Sequence, residues 1–126
     1  MKPKIYLAGP YRTAPDRNTQ QAAYESTRLT ARGYTVYSPH LQSHRPAKIQ
    51  SQAGIDWGPQ DERWLDVVAA WIPVCDGMAL FGEWQDSEGC QAEIEQAQLE
   101  GLIVAPVGEY PEAESFWDWN IDTLFD

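Results

Sequence analysis

The second half of this sequence contains no basic residue. All nine Lys and Arg lie within the first 63 residues, whereas the remaining 63 carry 14 Asp or Glu, and the net charge is −10. A surface of this charge repels the phosphates of DNA and RNA, so we expect no nucleic-acid polymer as a partner. A small phosphorylated ligand is compatible with it, provided that the N-terminal half supplies the basic contact.

Cysteine and long apolar runs are also scarce. The two Cys, Cys75 and Cys90, have no metal-type spacing and are predicted to be reduced core thiols of a cytoplasmic protein. The apolar run Ile5–Gly9 is too short for a signal peptide, and no run is long enough to cross a membrane. We therefore expect no membrane partner.

The two His, His40 and His44, have the i, i+4 spacing of some metal sites. Pro39 and Pro46 argue against a regular helix there, and no further Cys or His completes a ligand set. We therefore predict no metal site. The segment Pro39–Pro59 has no clear period and is predicted to be a long loop, in which His40 directly follows a strand and is placed to touch a ligand.

The most informative stretch runs from Asp76 to Val107. Apolar runs at 78–81 and 102–107 enclose a polar turn and a segment of helical period, Ser87–Gly101. This order predicts a strand, a helix and a second strand, that is, a βαβ unit with parallel strands. Parallel sheets bind ligands where strand ends meet helix starts, and here that place is Glu83–Glu93.

The other periodic segments extend this unit into one α/β domain over residues 1–126. We predict a doubly wound, Rossmann-like or flavodoxin-like parallel sheet of four or five strands with helices on both faces. The loop after the first strand lacks the GxGxxG and GxxxxGK[ST] patterns, so we predict neither a dinucleotide site nor a P-loop. The further predicted strands are Lys4–Ala8 and Tyr34–Ser38, and the further predicted helices are Asn18–Arg32, Asp61–Ile72 and Ser115–Leu124.

Glu93 is the candidate catalytic residue of the βαβ unit. It lies one helical turn from the small residues Gly89 and Ala97, and no Lys or Arg within four residues neutralises it. It borders the predicted packed stripe of the helix. From the residues alone, a ligand-facing carboxylate and a solvated surface glutamate both stay open. The stripe consists of Cys90, Ile94, Ala97 and Gly101.

Three patches of the chain resemble the nucleoside 2-deoxyribosyltransferase superfamily. IYLAGPYR at 5–12 is similar to its first strand and loop, and YSPH at 37–40 to the end of its second strand. GEWQDSEGCQAEIEQAQLEG at 82–101 resembles the signature S-x-G-x-x-x-E-x-x-x-A-x-x-x-G. At Ser87, the first position of this signature, the chain resembles the 2'-deoxynucleoside 5'-phosphate N-hydrolases. Its GEWQDS stretch resembles uncharacterised bacterial and phage relatives.

The resemblance implies roles for individual residues. Glu93 is expected to be the nucleophile, and Arg12, Ser87 and the helix start are expected to hold a phosphate. Relatives carry an Asp on the preceding helix that serves in protonation of the leaving base, and this chain has Val68 at its position. Asp66 or Asp61 is therefore expected to protonate the leaving base. The residues expected to frame base and sugar or to line the substrate site are Tyr6, Gly9, His40, Gly89 and either Trp57 or Trp84.

The function that the resemblance implies is cleavage of the N-glycosidic bond of a nucleoside or its 5'-monophosphate, without a cofactor. Deoxyribosyl transfer between bases and a non-catalytic nucleotide-binding protein are the alternatives. Relatives are oligomers, and the apolar C-terminus predicts a homo-oligomer, most simply a dimer. Capping of the sheet edge of a monomer is the competing interpretation of the same cluster. The cluster consists of Trp117, Trp119, Ile121, Leu124 and Phe125.

Overall fold

The computed structural model describes residues 2–43, 66 and 69–119, and within them four strands form one parallel sheet. The strands are β1 (Lys4–Ala8), β2 (Thr35–Tyr37), β3 (Gly77–Leu80) and β4 (Ile103–Pro106), in the order β2-β1-β3-β4. Because β2 lies on one side of β1 and β3 on the other, the winding direction reverses between β1 and β3. The doubly wound fold is confirmed, and the carboxyl ends of these two strands form its switch point.

Three helices surround the sheet within the described residues: α1 (Pro15–Ala31), α2 (Pro39–Ser43) and α3 (Glu88–Leu99). Residues 66 and 69–71 are also helical and lead into a 3-10 turn at Ile72–Val74. Further 3-10 turns cover Trp84–Asp86, Val107–Glu109 and Ala113–Asp118. None of the helices so described is long and apolar enough to cross a membrane.

Alternate residues of each strand build two separate cores. Ile5 and Leu7 of β1 pack with Ala22 and Leu29 of α1 on one face. On the other face Tyr6 packs in one cluster with Ile94 and Ala97 of α3. Since both faces are covered, the strands are apolar throughout rather than alternating, which is why they are recognisable as short apolar runs.

Three predictions of local structure were wrong. Pro39 does not prevent a helix but opens α2, because its ring fixes a helical φ and a first-turn residue needs no N–H. Gly101 does not pack; it is exposed at φ +80° and ends α3. The C-terminal helix is a 3-10 segment that begins two residues early, at Ala113. Residues 120–126 lie outside the described part of the chain.

The segment after β4 is tied to the α1 face of the sheet by polar bonds. Arg32 Nη1 donates to the carbonyl of Tyr110 at 2.7 Å, and the Ala113 amide donates to the carbonyl of Arg32 at 2.9 Å. The Tyr34 hydroxyl donates to Pro111 O at 2.7 Å, and Phe116 is 1% exposed. The described part of this segment therefore packs on its own chain at the amino end of the strands, away from the switch point.

Candidate active site

Glu93 and Tyr6 meet between α3 and β1. Tyr6 is fully buried, and its hydroxyl donates a hydrogen bond to Oε2 of Glu93, which is partly exposed. The contact joins residues 87 apart in sequence because Tyr6 points to the α3 face of the sheet. Glu93 therefore combines a hydrogen bond inside the protein with partial exposure of the residue.

Burial raises the pKa of Glu93 from 4.5 to about 7, and the hydrogen bond from Tyr6 opposes this rise. The pKa of Tyr6 is raised well above 10, mainly by burial and next by the charge of Glu93. Tyr6 therefore stays a neutral donor, while Glu93 changes its charge near neutral pH. Titration in this range is typical of carboxyl groups that act as catalysts.

The amino end of α3 lies beside this pair. Ser87 is the N-cap, and its Oγ accepts a hydrogen bond from the amide of Cys90 at 3.2 Å. Gly89 is exposed, and a Cβ added there would meet Ser87 Oγ at 3.8 Å. Packing therefore does not require a glycine at position 89, and a Cβ there would make only an ordinary contact.

Gly9 and His40 belong to a packed junction at the switch point. A Cβ on Gly9 would lie 2.3 Å from the ring of Phe81, so only glycine fits between the ends of β1 and β3. His40 is buried, its Nε2 is 2.8 Å from the carbonyl oxygen of Pro10, and its ring lies 5.2 Å from that of Phe81. These contacts hold the loop after β1; whether His40 also touches a ligand stays a prediction.

Arg12 is exposed in that loop, just before α1. The loop is held from α1 by Asn18, whose amide donates to Tyr11 O at 3.2 Å and Thr13 Oγ1 at 3.1 Å. No pattern in the sequence identifies Asn18. A polar residue that is 4% exposed near the start of a helix is the signal that identifies it as a loop anchor.

Of the two candidate acids on the second predicted helix, the structure describes Asp66, and no described contact brings it to Glu93. Asp66 is exposed, one turn before Ala69, whose carbonyl accepts a hydrogen bond from Gln96 of α3 at 3.1 Å. Asp61 and Trp57 lie outside the described residues. Trp84 is partly buried and packs against the α3-face core.

An aromatic row extends from Glu93 to the surface. Tyr37 on β2 is the register partner of Tyr6, with ring centroids 5.6 Å apart. Trp71 stacks on Tyr37 at 4.5 Å with 13° between the ring planes, and Trp71 is 43% exposed. In the sequence Tyr37 is recognisable only as part of the YSPH patch, because the row depends on the register of β1 with β2.

Residues 3–105 match a family described as a domain of unknown function, DUF4406. The chain belongs to this family. The matched range contains all four strands except Pro106, together with Tyr6, Tyr37 and Glu93. Most of the segment tied to the α1 face lies beyond the matched range. No curated protein matches this DUF4406 domain.

Solved structures share the fold of this DUF4406 domain. One is a 2-deoxyribosyltransferase from the psychrotolerant bacterium Bacillus psychrosaccharolyticus, with a TM-score of 0.52 and 21% identity over 82% of this chain and 70% of that chain. The similarity is one of fold, and it agrees with the resemblance to the nucleoside 2-deoxyribosyltransferase superfamily found in the sequence.

Proposed function

We propose that this DUF4406 domain cleaves the N-glycosidic bond of a nucleoside or its 5'-monophosphate, with Glu93 as the nucleophile. The observation that carries the proposal is the Tyr6–Glu93 pair, in which a partly exposed carboxylate is held by a buried neutral phenol. One fixed oxygen leaves the other free to face a substrate. The similarity of fold to a 2-deoxyribosyltransferase supports the choice of substrate class.

In the proposed reaction the ionised Glu93 attacks the anomeric carbon of the sugar. The carbon–nitrogen bond breaks, its electron pair leaves with the base, and the base takes up a proton. Water then attacks the same carbon, the ester bond to Glu93 breaks, and the released proton goes to solvent. If a second base replaces water in this step, the reaction becomes a deoxyribosyl transfer.

A 5'-phosphate is proposed to bind at the start of α3. The amino end of a helix offers unpaired N–H groups and a positive dipole end, and the exposed Gly89 leaves room for the ligand. Arg12 is proposed to supply a cation from the loop after β1. Ser87 is proposed to contribute through its backbone and its remaining hydroxyl contacts, because its Oγ already accepts from Cys90.

A non-catalytic nucleotide-binding protein is the second candidate. Departure of a base is assisted by an acid, but Asp66, the candidate for this role that the structure describes, is exposed and no described hydrogen bond links it to Glu93. With a pKa of about 7, Glu93 is also partly protonated at neutral pH. Both observations favour a binder that is slow or inactive in bond cleavage.

A screen for free-base release with nucleosides and their 5'-monophosphates distinguishes the two candidates. We expect release of a base by the wild-type protein and its loss in Glu93→Gln. Glu95→Gln is the matched control, since Glu95 is exposed on the same helix. A glycosylated Glu93 trapped and identified by mass spectrometry would support the covalent path. Tight binding without release of any base would favour the binder and contradict catalysis.

A further inference from the structure

Tyr37 is held in a fixed position beside the Tyr6–Glu93 pair. Register pairing of β1 with β2 places Tyr37 next to Tyr6, and both side chains contribute to the α3-face core. The ring of Tyr37 contacts the rings of both Tyr6 and Trp71, with centroid distances of 5.6 Å and 4.5 Å. The side chain therefore has little freedom to turn its hydroxyl towards another partner.

The hydroxyl of Tyr37 is buried and has no hydrogen-bond partner among the described residues. The other tyrosines of the two cores differ in this respect. Tyr6 donates to Glu93, Tyr34 to Pro111 O, and Tyr110 to Ile103 O. Since an unsatisfied buried hydroxyl destabilises a fold, a group kept in this state is a candidate for ligand contact.

The surroundings of this hydroxyl restrict what it is able to bind. Burial, and after it the nearby Cys75 and Glu93, raise the pKa of Tyr37 to about 12, so the phenol is neutral. A neutral donor next to a carboxylate is a poor site for a phosphate, which would be repelled by Glu93. An uncharged oxygen or ring nitrogen is the acceptor that suits it.

We propose that the Tyr37 hydroxyl donates a hydrogen bond to an uncharged acceptor in the nucleoside part of the ligand, either on the base or on the sugar. The inference rests on the proposed function, because it takes Glu93 as the point of attack. An anomeric carbon about 3–3.5 Å from a Glu93 oxygen brings the base and the sugar, rather than the phosphate, next to the Tyr6–Tyr37 row. Tyr37 then selects for the glycoside, and the start of α3 for the phosphate.

Tyr37→Phe tests the proposal through the stability of the protein, which should not fall, and its affinity for a nucleoside, which should fall. Loss of an unsatisfied hydroxyl should leave the Tm of the unliganded protein equal or higher, while the Kd for a nucleoside rises about three- to tenfold. Tyr34→Phe is the matched control, since it removes a phenol that is bonded to Pro111 away from the site. We expect that control to lower the Tm and to leave the Kd unchanged.

The affected part of the ligand is found by comparing probes. A nucleoside and its 5'-monophosphate should lose the same factor in Tyr37→Phe, and a loss limited to the monophosphate would overturn the proposal. Titration with the free base and with free 2-deoxyribose then separates the two acceptors, because the fragment whose binding weakens carries the acceptor. Unchanged affinity for the nucleoside also overturns the role of Tyr37, whereas a wild-type protein that binds no nucleoside contradicts the proposed function itself.

Discussion

The two faces of the sheet differ in how their polar groups are used. On the α1 face, the hydroxyls of Tyr34 and Tyr110 both bond to carbonyl groups of the same chain, next to the buried Phe116. On the α3 face, Glu93 has a raised pKa, and the hydroxyl of Tyr37 has no hydrogen-bond partner among the described residues. The tyrosine hydroxyls of the α1 face are thus satisfied within the protein, while the α3 face keeps two costly groups that a ligand is able to use.

The largest effect is expected from Glu93→Gln on the α3 face. The amide keeps the shape but cannot form a glycosyl ester, so kcat/KM should fall at least about 10³-fold while nucleotide affinity stays within about tenfold. Kinetics of base release and calorimetric titration measure the two quantities. Full activity in this variant, or an equal loss in Glu95→Gln, would remove Glu93 from the chemistry.

On the α1 face, Phe116→Ala should lower the free energy of unfolding by about 3–5 kcal/mol, because it opens a cavity in the core. Its neighbour Trp117 is 55% exposed, and Trp117→Ala should cost less than about 1 kcal/mol. Denaturant unfolding of both variants checks the contrast. Equal losses would show that burial does not decide what these two side chains contribute to stability.

The raised pKa of Glu93 predicts opposite trends of stability and activity with pH. Stabilisation from the protonated form is fully present below pH 4.5 and is lost as the pH rises through about 7, a change of at most about 3 kcal/mol. Activity needs the ionised form, so kcat/KM should rise with pH up to about 7. Tyr6→Phe removes the bond that lowers this pKa, and should move the acidic limb to higher pH.

The matched control for this pH dependence is Glu93→Gln, which has no carboxyl group to titrate. Its free energy of unfolding should vary less between pH 5 and pH 8 than that of the wild type, and it should be the more stable protein at pH 8. An acidic limb of the wild-type kcat/KM near pH 4.5 would show that Glu93 titrates as an ordinary exposed carboxyl group.

Arg12→Ala should have a smaller effect, confined to the phosphate. We expect binding of a 5'-monophosphate to weaken by about 1.5–3 kcal/mol, the range for a charged hydrogen bond, with little change for the nucleoside. Calorimetry with both ligands measures the difference. Equal losses would show that Arg12 acts on the loop rather than on the phosphate.

We predict a homodimer in which the apolar C-terminus lies in or beside the interface. Because Phe116 is buried in the core, a truncation that tests this should keep it, and truncation after Trp119 does so while removing residues 120–126. Burial of exposed apolar side chains against a partner would be opposed by the cost of association, so the net effect is expected to be small. Light scattering on both chains checks this, and a full-length monomer at micromolar concentration would contradict the dimer.

The sequence predicts the strands within one or two residues because short apolar runs bounded by Gly, Pro and polar residues have few alternatives in a buried sheet. It also predicts Glu93 at the carboxyl edge of the sheet, where parallel sheets bind ligands. It does not predict that Tyr6 bonds to Glu93 or that Tyr37 lies beside them, since both facts depend on pairing across distant parts of the chain. The sequence does not predict α2, because a proline argues against a helix unless it occupies the first turn, as Pro39 does.

The packing of Phe81 over Gly9 also has a mechanical consequence. The ring at the end of β3 fills the place of a side chain on Gly9, and His40 contacts both Phe81 and the carbonyl of Pro10. Three segments that come from separate parts of the sequence are therefore joined at one point. A ligand that displaces the loop after β1 must also move the end of β3 and the start of α2, so this side of the crevice responds as a single body.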